Sequence, residues 1–166
     1  DTSDRNRTSP FAFTGNKFEF RMVGSSQSIS EANIILNTAV ADVLRRYADE
    51  LEGAADFDGA LHELIRRSIR EHRRIIFNGN GYEEAWVREA ARRGLCNYRS
   101  TPDCVPHLLD AKNVELFRRN RVFSETELRA RCEIVLDHYA KEVRIEALTL
   151  LDMLRKDVLP AMSRFT

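Results

Sequence analysis

The chain has 166 residues, 43% of them apolar and 31% charged, and its 26 basic side chains are balanced by 26 acidic ones. Zero net charge removes any global field favouring nucleic acid or an anionic membrane, and no apolar run approaches the length of a membrane span. This length admits one sizeable core, or the end of one domain followed by a second; the chain opens on Asp without a signal peptide, as expected of a piece cut from a longer protein.

The stretch RNRTSPFAFTGNKFEFR, residues 5–21, places five charged side chains and four phenylalanines in seventeen positions. Phe11-Ala12-Phe13 and Lys17-Phe18-Glu19-Phe20-Arg21 alternate with period two, as half-buried strands do. Thr14-Gly15-Asn16-Lys17 between them suits a two-residue type II′ turn, with Gly first in the centre. Closing the hairpin sets Phe13 against Phe18, Phe11 against Phe20, Ala12 against Glu19 and Pro10 against Arg21. All four phenylalanines then share one face, expected to be core, and Lys17, Glu19 and Arg21 share the other. A row of cation, anion, cation has two readings. One is a solvated sheet face with mutually screened charges. The other is a phosphate and metal site, in which a carboxylate serves as a hard oxygen ligand for Mg²⁺ or Mn²⁺ and flanking cations hold phosphate oxygens. Arg5 and Arg7 lie just upstream and could close on the same charge. The pattern alone leaves both open.

After the polar stretch Gly24-Ser25-Ser26-Gln27-Ser28, Ser30 reads as the N-cap of a helix through about Leu51. Its apolar stripe is Ile34, Ile35, Val40, Val43, Leu44, Tyr47 and Leu51. A second helix spans Asp56 to about Arg74, with Leu61, Leu64, Ile65 and Ile69 expected inward. Residues 77–82, FNGNGY, form a turn. Glu83 to Arg93 is a third helix, stopped by Gly94. Short helices are expected at Thr101-Pro102-Asp103 and around Lys112 to Arg119. Ser124-Glu125-Thr126-Glu127 is a capping box. The apolar stripe that follows runs from Leu128 to Val158 and predicts one continuous helix, roughly 50 Å long, ended by Pro160. It should pack on the helices before it.

Three cysteines form no CxxC pair, which fits free thiols in a reducing cytoplasm, and four histidines share no metal-ligand spacing, which argues against zinc. P-loop, GxGxxG and GxSxG motifs are absent. Of the 26 basic residues 22 are Arg, favouring planar bidentate pairing. The cluster Arg66-Arg67-Ser68-Ile69-Arg70-Glu71-His72-Arg73-Arg74 invites a nucleic-acid reading. It lacks an aromatic platform, and a solvated helix face paired with Glu63 and Glu71 is preferred.

With these residues in view, the chain resembles the C-terminal portion of a glutamine synthetase of the long type III form. The similarity is carried by DTSDRNRTSPFAFTGNKFEFR, by VGSS before a helix, and by NGNGYEEAWVREAARRGL and VFSETELRARCEIVLDHYAKEVRIEALTLLDM, together almost the whole chain. The resemblance implies that Glu19 ligates the metal bridging ATP phosphates. It implies that Arg21 contacts glutamate and the transferred phosphoryl group, that Lys17 serves ATP where many relatives have Arg, and that Arg7, with Arg5, contacts nucleotide phosphate. Many relatives carry another phosphate-binding Arg where this chain has Ala12. The implied reaction is ATP- and divalent-metal-dependent ligation of ammonia to glutamate through a γ-glutamyl phosphate, in a cytoplasmic, ring-shaped homo-oligomer, a dodecamer in the full-length protein.

The expected fold class is α+β: a β-hairpin remnant of the catalytic sheet followed by a mainly helical region with one long helix. The expected domains are residues 1–53, the end of the catalytic domain, and 54–166, the helical type III extension, truncated at its end. One carboxylate does not make a two-metal site, so the chain alone is expected to be inactive. Two rivals stand beside this reading: a non-catalytic helical interaction or oligomerisation module, and an Arg-rich nucleic-acid binder. The expected partners are glutamate, ammonia and ATP, with no nucleic acid and no membrane.

Overall fold

The computed structural model describes residues 11–13, 17–21, 24, 27–77, 81 and 83–165. Its class is α+β, with one two-stranded antiparallel ribbon and helix nearly everywhere else. The chain divides into two compact units, residues 1–97 and 98–166. No described helix is long and apolar enough to cross a membrane.

The first unit begins with strands β1 (Phe11–Phe13) and β2 (Phe18–Phe20), paired in the expected register, Phe11 with Phe20, Ala12 with Glu19 and Phe13 with Phe18. The turn at 14–16 and Pro10 lie outside the described residues. The phenylalanine face is not core here. Phe13 and Phe18 are 61% and 58% exposed, whereas Ala12 on the opposite face is 1% exposed. A sheet face becomes core only when a second layer covers it. Among the described residues β1 and β2 contact only each other, so the rings cover one another instead. Phe11 stacks on Phe18 at 4.9 Å between centroids, and Phe13 leans on Phe18 at 5.2 Å.

Helix α1 (Ser30–Leu51) starts one residue earlier than expected, with Ile29 as its cap and Ser30 as its first residue. The Ser28 hydroxyl accepts from the Ser30 backbone N–H at 3.2 Å, so the capping oxygen comes from two residues upstream. The side chains α1 buries are Thr38 and Asp42 rather than its apolar stripe, of which Ile35, Val40 and Leu44 are exposed. Thr38 donates its hydroxyl to the Ile34 carbonyl at 2.6 Å, satisfying it within the helix. Asp42 accepts from Arg45 at 3.1 Å and lies 3.4 Å from Arg46, so the buried carboxylate is held by cations one turn away.

Helix α2 (Phe57–Glu71) is capped by Asp56, whose carboxylate accepts from the Gly59 N–H at 3.0 Å. It ends earlier than expected and continues as a 3₁₀ turn, Arg73–Ile75. Leu64 is buried as expected, but Ile65 and Ile69 are exposed. Tyr47 and Ser68 hydroxyls meet at 2.9 Å, and Arg67 reaches Glu50 at 2.6 Å, tying α1 to α2. Helix α3 (Glu84–Arg92) stops at Gly94. Gly94 adopts φ +70°, its N–H bonds to Ala91 and that of Leu95 to Ala90, closing the last turn as a Schellman motif.

The second unit contains α4 (Thr101–Cys104), a 3₁₀ turn Val105–Leu109, α5 (Ala111–Arg119) and α6 (Glu125–Met153). Its core is Val105, Phe117, Leu128 and Cys132, with Phe117 and Leu128 almost fully enclosed. Helix α6 packs on α4, α5 and the 3₁₀ turn through its N-terminal half, as expected. The capping box is complete: Glu127 N–H bonds to the Ser124 hydroxyl and the Glu127 carboxylate accepts from the Ser124 N–H at 2.8 Å. There is no break near Tyr139 or Val143.

Pro160, however, does not end the helix. Leu154–Val158 form a π-helical turn, and α7 (Leu159–Phe165) carries the run past the proline. A proline ring clashes with the carbonyl four residues earlier in an α-helix. Here the Leu159 N–H bonds five residues back, to Leu154, and the wider turn accommodates the ring.

Candidate functional site

The strand alternation places Lys17, Glu19 and Arg21 on one face, as read from sequence. Glu19 is the hub. Its Oε2 accepts from Arg21 Nη2 at 3.1 Å and from Arg21 Nε at 3.3 Å, and its Oε1 lies 3.7 Å from Lys17 Nζ. The Arg21 fork therefore grips one carboxylate oxygen while Lys17 sits beside the other. Exposure grades along the row, with Lys17 outermost and the Arg21 side chain 27% exposed. Arg5 and Arg7 lie outside the described residues.

Such a row offers one hard anionic oxygen donor between two cations, a donor set of the type that binds Mg²⁺ or Mn²⁺ beside phosphate. A lone carboxylate supplies a fraction of the six or more ligands these ions take. Among the described residues no group of three or more His, Cys, Asp or Glu could hold a metal ion. A metal held at Glu19 would need its remaining ligands from elsewhere.

The basic cluster on α2 divides in two. Arg66 pairs with Glu63 at 3.8 Å, and Arg67 with Glu71 at 3.8 Å and Glu50 at 2.6 Å, the solvated paired face expected from sequence. Arg73 and Arg74 instead line a cleft of about 500 Å³ with Ile76, Glu89, Arg92 and Arg93. Sequence reading missed this convergence. The available signal was a pair of adjacent arginines on each side of the turn, at 73–74 and 92–93. None of the three cysteines is in a disulfide, and the buried Cys132 donates its thiol to the Val105 carbonyl at 3.5 Å.

Residues 60–166 match the family described as glutamine synthetase C-terminal domain. The chain is 44% identical over 164 residues to a type-3 glutamine synthetase of Dictyostelium discoideum, covering 97% of this chain and 22% of that protein. It is 41% identical over 167 residues to a glutamine synthetase of Butyrivibrio fibrisolvens, covering 95% of this chain and 23% of that protein. It is 42% identical over 164 residues to one of Bacteroides fragilis, covering 96% and 22%. The chain thus spans less than a quarter of the length of these relatives.

Proposed function

Since the chain belongs to the glutamine synthetase C-terminal domain family, we propose that it forms part of an ATP- and metal-dependent enzyme ligating ammonia to glutamate, and contributes one edge of that active site. The observation that carries this is the Lys17–Glu19–Arg21 row, with the Glu19 carboxylate fixed between two cations on a strand. In this reading Glu19 is a ligand of Mg²⁺ or Mn²⁺ at the ATP phosphates. Arg21 contacts glutamate and the transferred phosphoryl group, and Lys17, Arg7 and Arg5 serve the nucleotide phosphates. The metal, when bound, supplies Lewis-acid and charge stabilisation at those phosphates.

The chemistry explains the residue types. A carboxylate and a phosphoryl group must approach although both are anionic, and positioned guanidinium groups offset that repulsion. The Arg21 fork can exchange Glu19 for a phosphoryl or carboxylate oxygen without leaving the strand face, since both of its nitrogens already point at an oxygen acceptor. The type-3 relative at 44% identity supports the same reading. Assignment of residues 1–53 to the end of the catalytic domain and 54–166 to the helical extension belongs to the proposal, supported by a family match that begins at residue 60. So do a cytoplasmic location and a ring-shaped, dodecameric assembly.

Glu19→Gln in the longer protein tests it. Gln keeps the shape and removes the anionic ligand. Turnover should fall by orders of magnitude and metal affinity should drop, with little change in melting temperature. Near-normal turnover and unchanged metal dependence would reduce the row to a solvated strand face and leave the helical interaction module as the better reading.

A further inference from the structure

We propose that the cleft formed by Arg73, Arg74, Arg92 and Arg93 is a binding site for a diphosphate-class anion, separate from the β-ribbon row. Four arginines and one carboxylate, Glu89, line the cleft, a formal excess of three positive charges around about 500 Å³. Two linked phosphates carry on the order of three negative charges at neutral pH, close to that excess. The volume is in the range of small-ligand sites.

The cluster is organised rather than merely crowded. Glu89 Oε2 accepts from Arg92 Nε at 2.7 Å, and its Oε1 accepts from Arg92 Nη2 at 2.8 Å and from Arg93 Nε. Both arginines are thereby held on one acid, and neither is neutralised separately. Arg93 Nη1 also donates to the Ile76 carbonyl at 2.9 Å and to the Arg74 carbonyl at 3.3 Å, stitching α3 to the 3₁₀ turn. Its guanidinium lies 5.5 Å from the centre of the Trp86 ring, which stacks on Phe77 at 4.0 Å. One wall of the cleft is thus fixed by ion pair, backbone and aromatic contacts. On the other wall, Arg73 and Arg74 have no carboxylate within ion-pair distance among the described residues, although Arg66 and Arg67 on the preceding helix both do. Two arginines sharing one acid on one side, and two with no carboxylate beside them on the other, leave a cationic excess that suits two adjacent phosphates.

Trp86 is the only tryptophan of the 166-residue chain, so its fluorescence reports on this cleft. Inorganic pyrophosphate titrated into the dilute chain at near-physiological salt should give a saturable change that weakens as salt rises. Arg73→Gln with Arg74→Gln should weaken binding about tenfold or more, through loss of charge-assisted hydrogen bonds. Arg66→Gln with Arg70→Gln removes the same charge from α2 outside the cleft and should leave binding within about twofold. Arg73→Lys with Arg74→Lys keeps the charge without the fork, and should bind more weakly than the parent while helicity by circular dichroism is unchanged. Adenosine diphosphate in place of pyrophosphate distinguishes a nucleotide from the free anion as the source; tighter binding of either supports the site. Non-saturating titration, equal loss in both Gln pairs, or tighter binding of a poly-glutamate peptide than of both diphosphates would overturn it.

Discussion

Glu89 shows how much one carboxylate is shifted when two arginines share it. Hydrogen bonds from Arg92 and then Arg93 hold its pKa down from 4.5 to about 2. A depressed acid favours the folded state fully above its unfolded pKa, and that favour is lost as pH falls toward the folded value. Melting curves of the parent and Glu89→Gln should therefore differ by a constant amount above about pH 4.5 and converge as pH approaches 2. Arg121 makes a different demand. It sits at φ +55° just beyond α5, its N–H bonds to Arg118 and that of Val122 to Phe117, the same Schellman closure that Gly94 makes after α3. A side chain in the left-handed region costs about 1–2 kcal/mol. Arg121→Gly should raise stability by about 1 kcal/mol, part of the relief being offset by the entropy of a more flexible unfolded chain. Phe18 is a correction at the same scale. A buried phenylalanine would lose about 3–5 kcal/mol on truncation to Ala. With the residue 58% exposed, Phe18→Ala in this chain should cost well under half of that, measurable by denaturant titration.

Among the elements, the N-terminus of α6 is the best specified. The Ser124 backbone N–H and then its hydroxyl hold the Glu127 carboxyl below its usual range, and the pair satisfies donors a helix start would otherwise leave open. Ser124→Ala should lower stability by about 1 kcal/mol, read from the unfolding midpoint. Features of this kind were legible because their chemistry is local. The capping box, the Gly94 stop and the β1–β2 register each depend on residues within a few positions of one another. What escaped the sequence needs partners remote in the chain. An apolar stripe says which helix face is able to be buried, not whether another element arrives to cover it. Hence Ile35, Val40, Ile65 and Ile69 are exposed while Asp42 is enclosed between its arginines. Pro160 was misread for another reason. A proline stops an α-ladder, but one π-helical turn before it changes the bonding interval and lets the helix continue. For the candidate site, the grouping of Lys17, Glu19 and Arg21 followed from strand alternation alone. The roles of those three side chains came from family resemblance, and the arginine cleft came from a turn whose geometry no periodicity encodes.

At the scale of the whole chain, exposed apolar surface is the dominant unsettled term. The N-terminal half of α6 buries Leu128 and Cys132, but farther along Ile145, Leu148, Leu150, Leu151 and Met153 are exposed, as are Leu159, Met162 and Phe165 in α7. Phe13 and Phe18 add two rings on the β-ribbon. Soluble monomers rarely leave extended apolar patches open, and burying a single leucine or isoleucine side chain is worth about 1.5–3 kcal/mol. The matched relatives are more than four times longer than the matched segment, so in them further chain is available to cover such a surface. Produced alone, the chain should bind a hydrophobic dye and associate reversibly as its concentration rises, as seen by sedimentation velocity. Ile145→Glu with Leu148→Glu places charge on exposed positions of α6 well beyond its buried Leu128 and Cys132, so helicity should persist while association weakens. If the parent chain stays monomeric at high concentration and binds no dye, the exposed side chains are too scattered to form a continuous adhesive surface. If the double variant loses helicity instead, those positions support the fold itself rather than contacts with other chains.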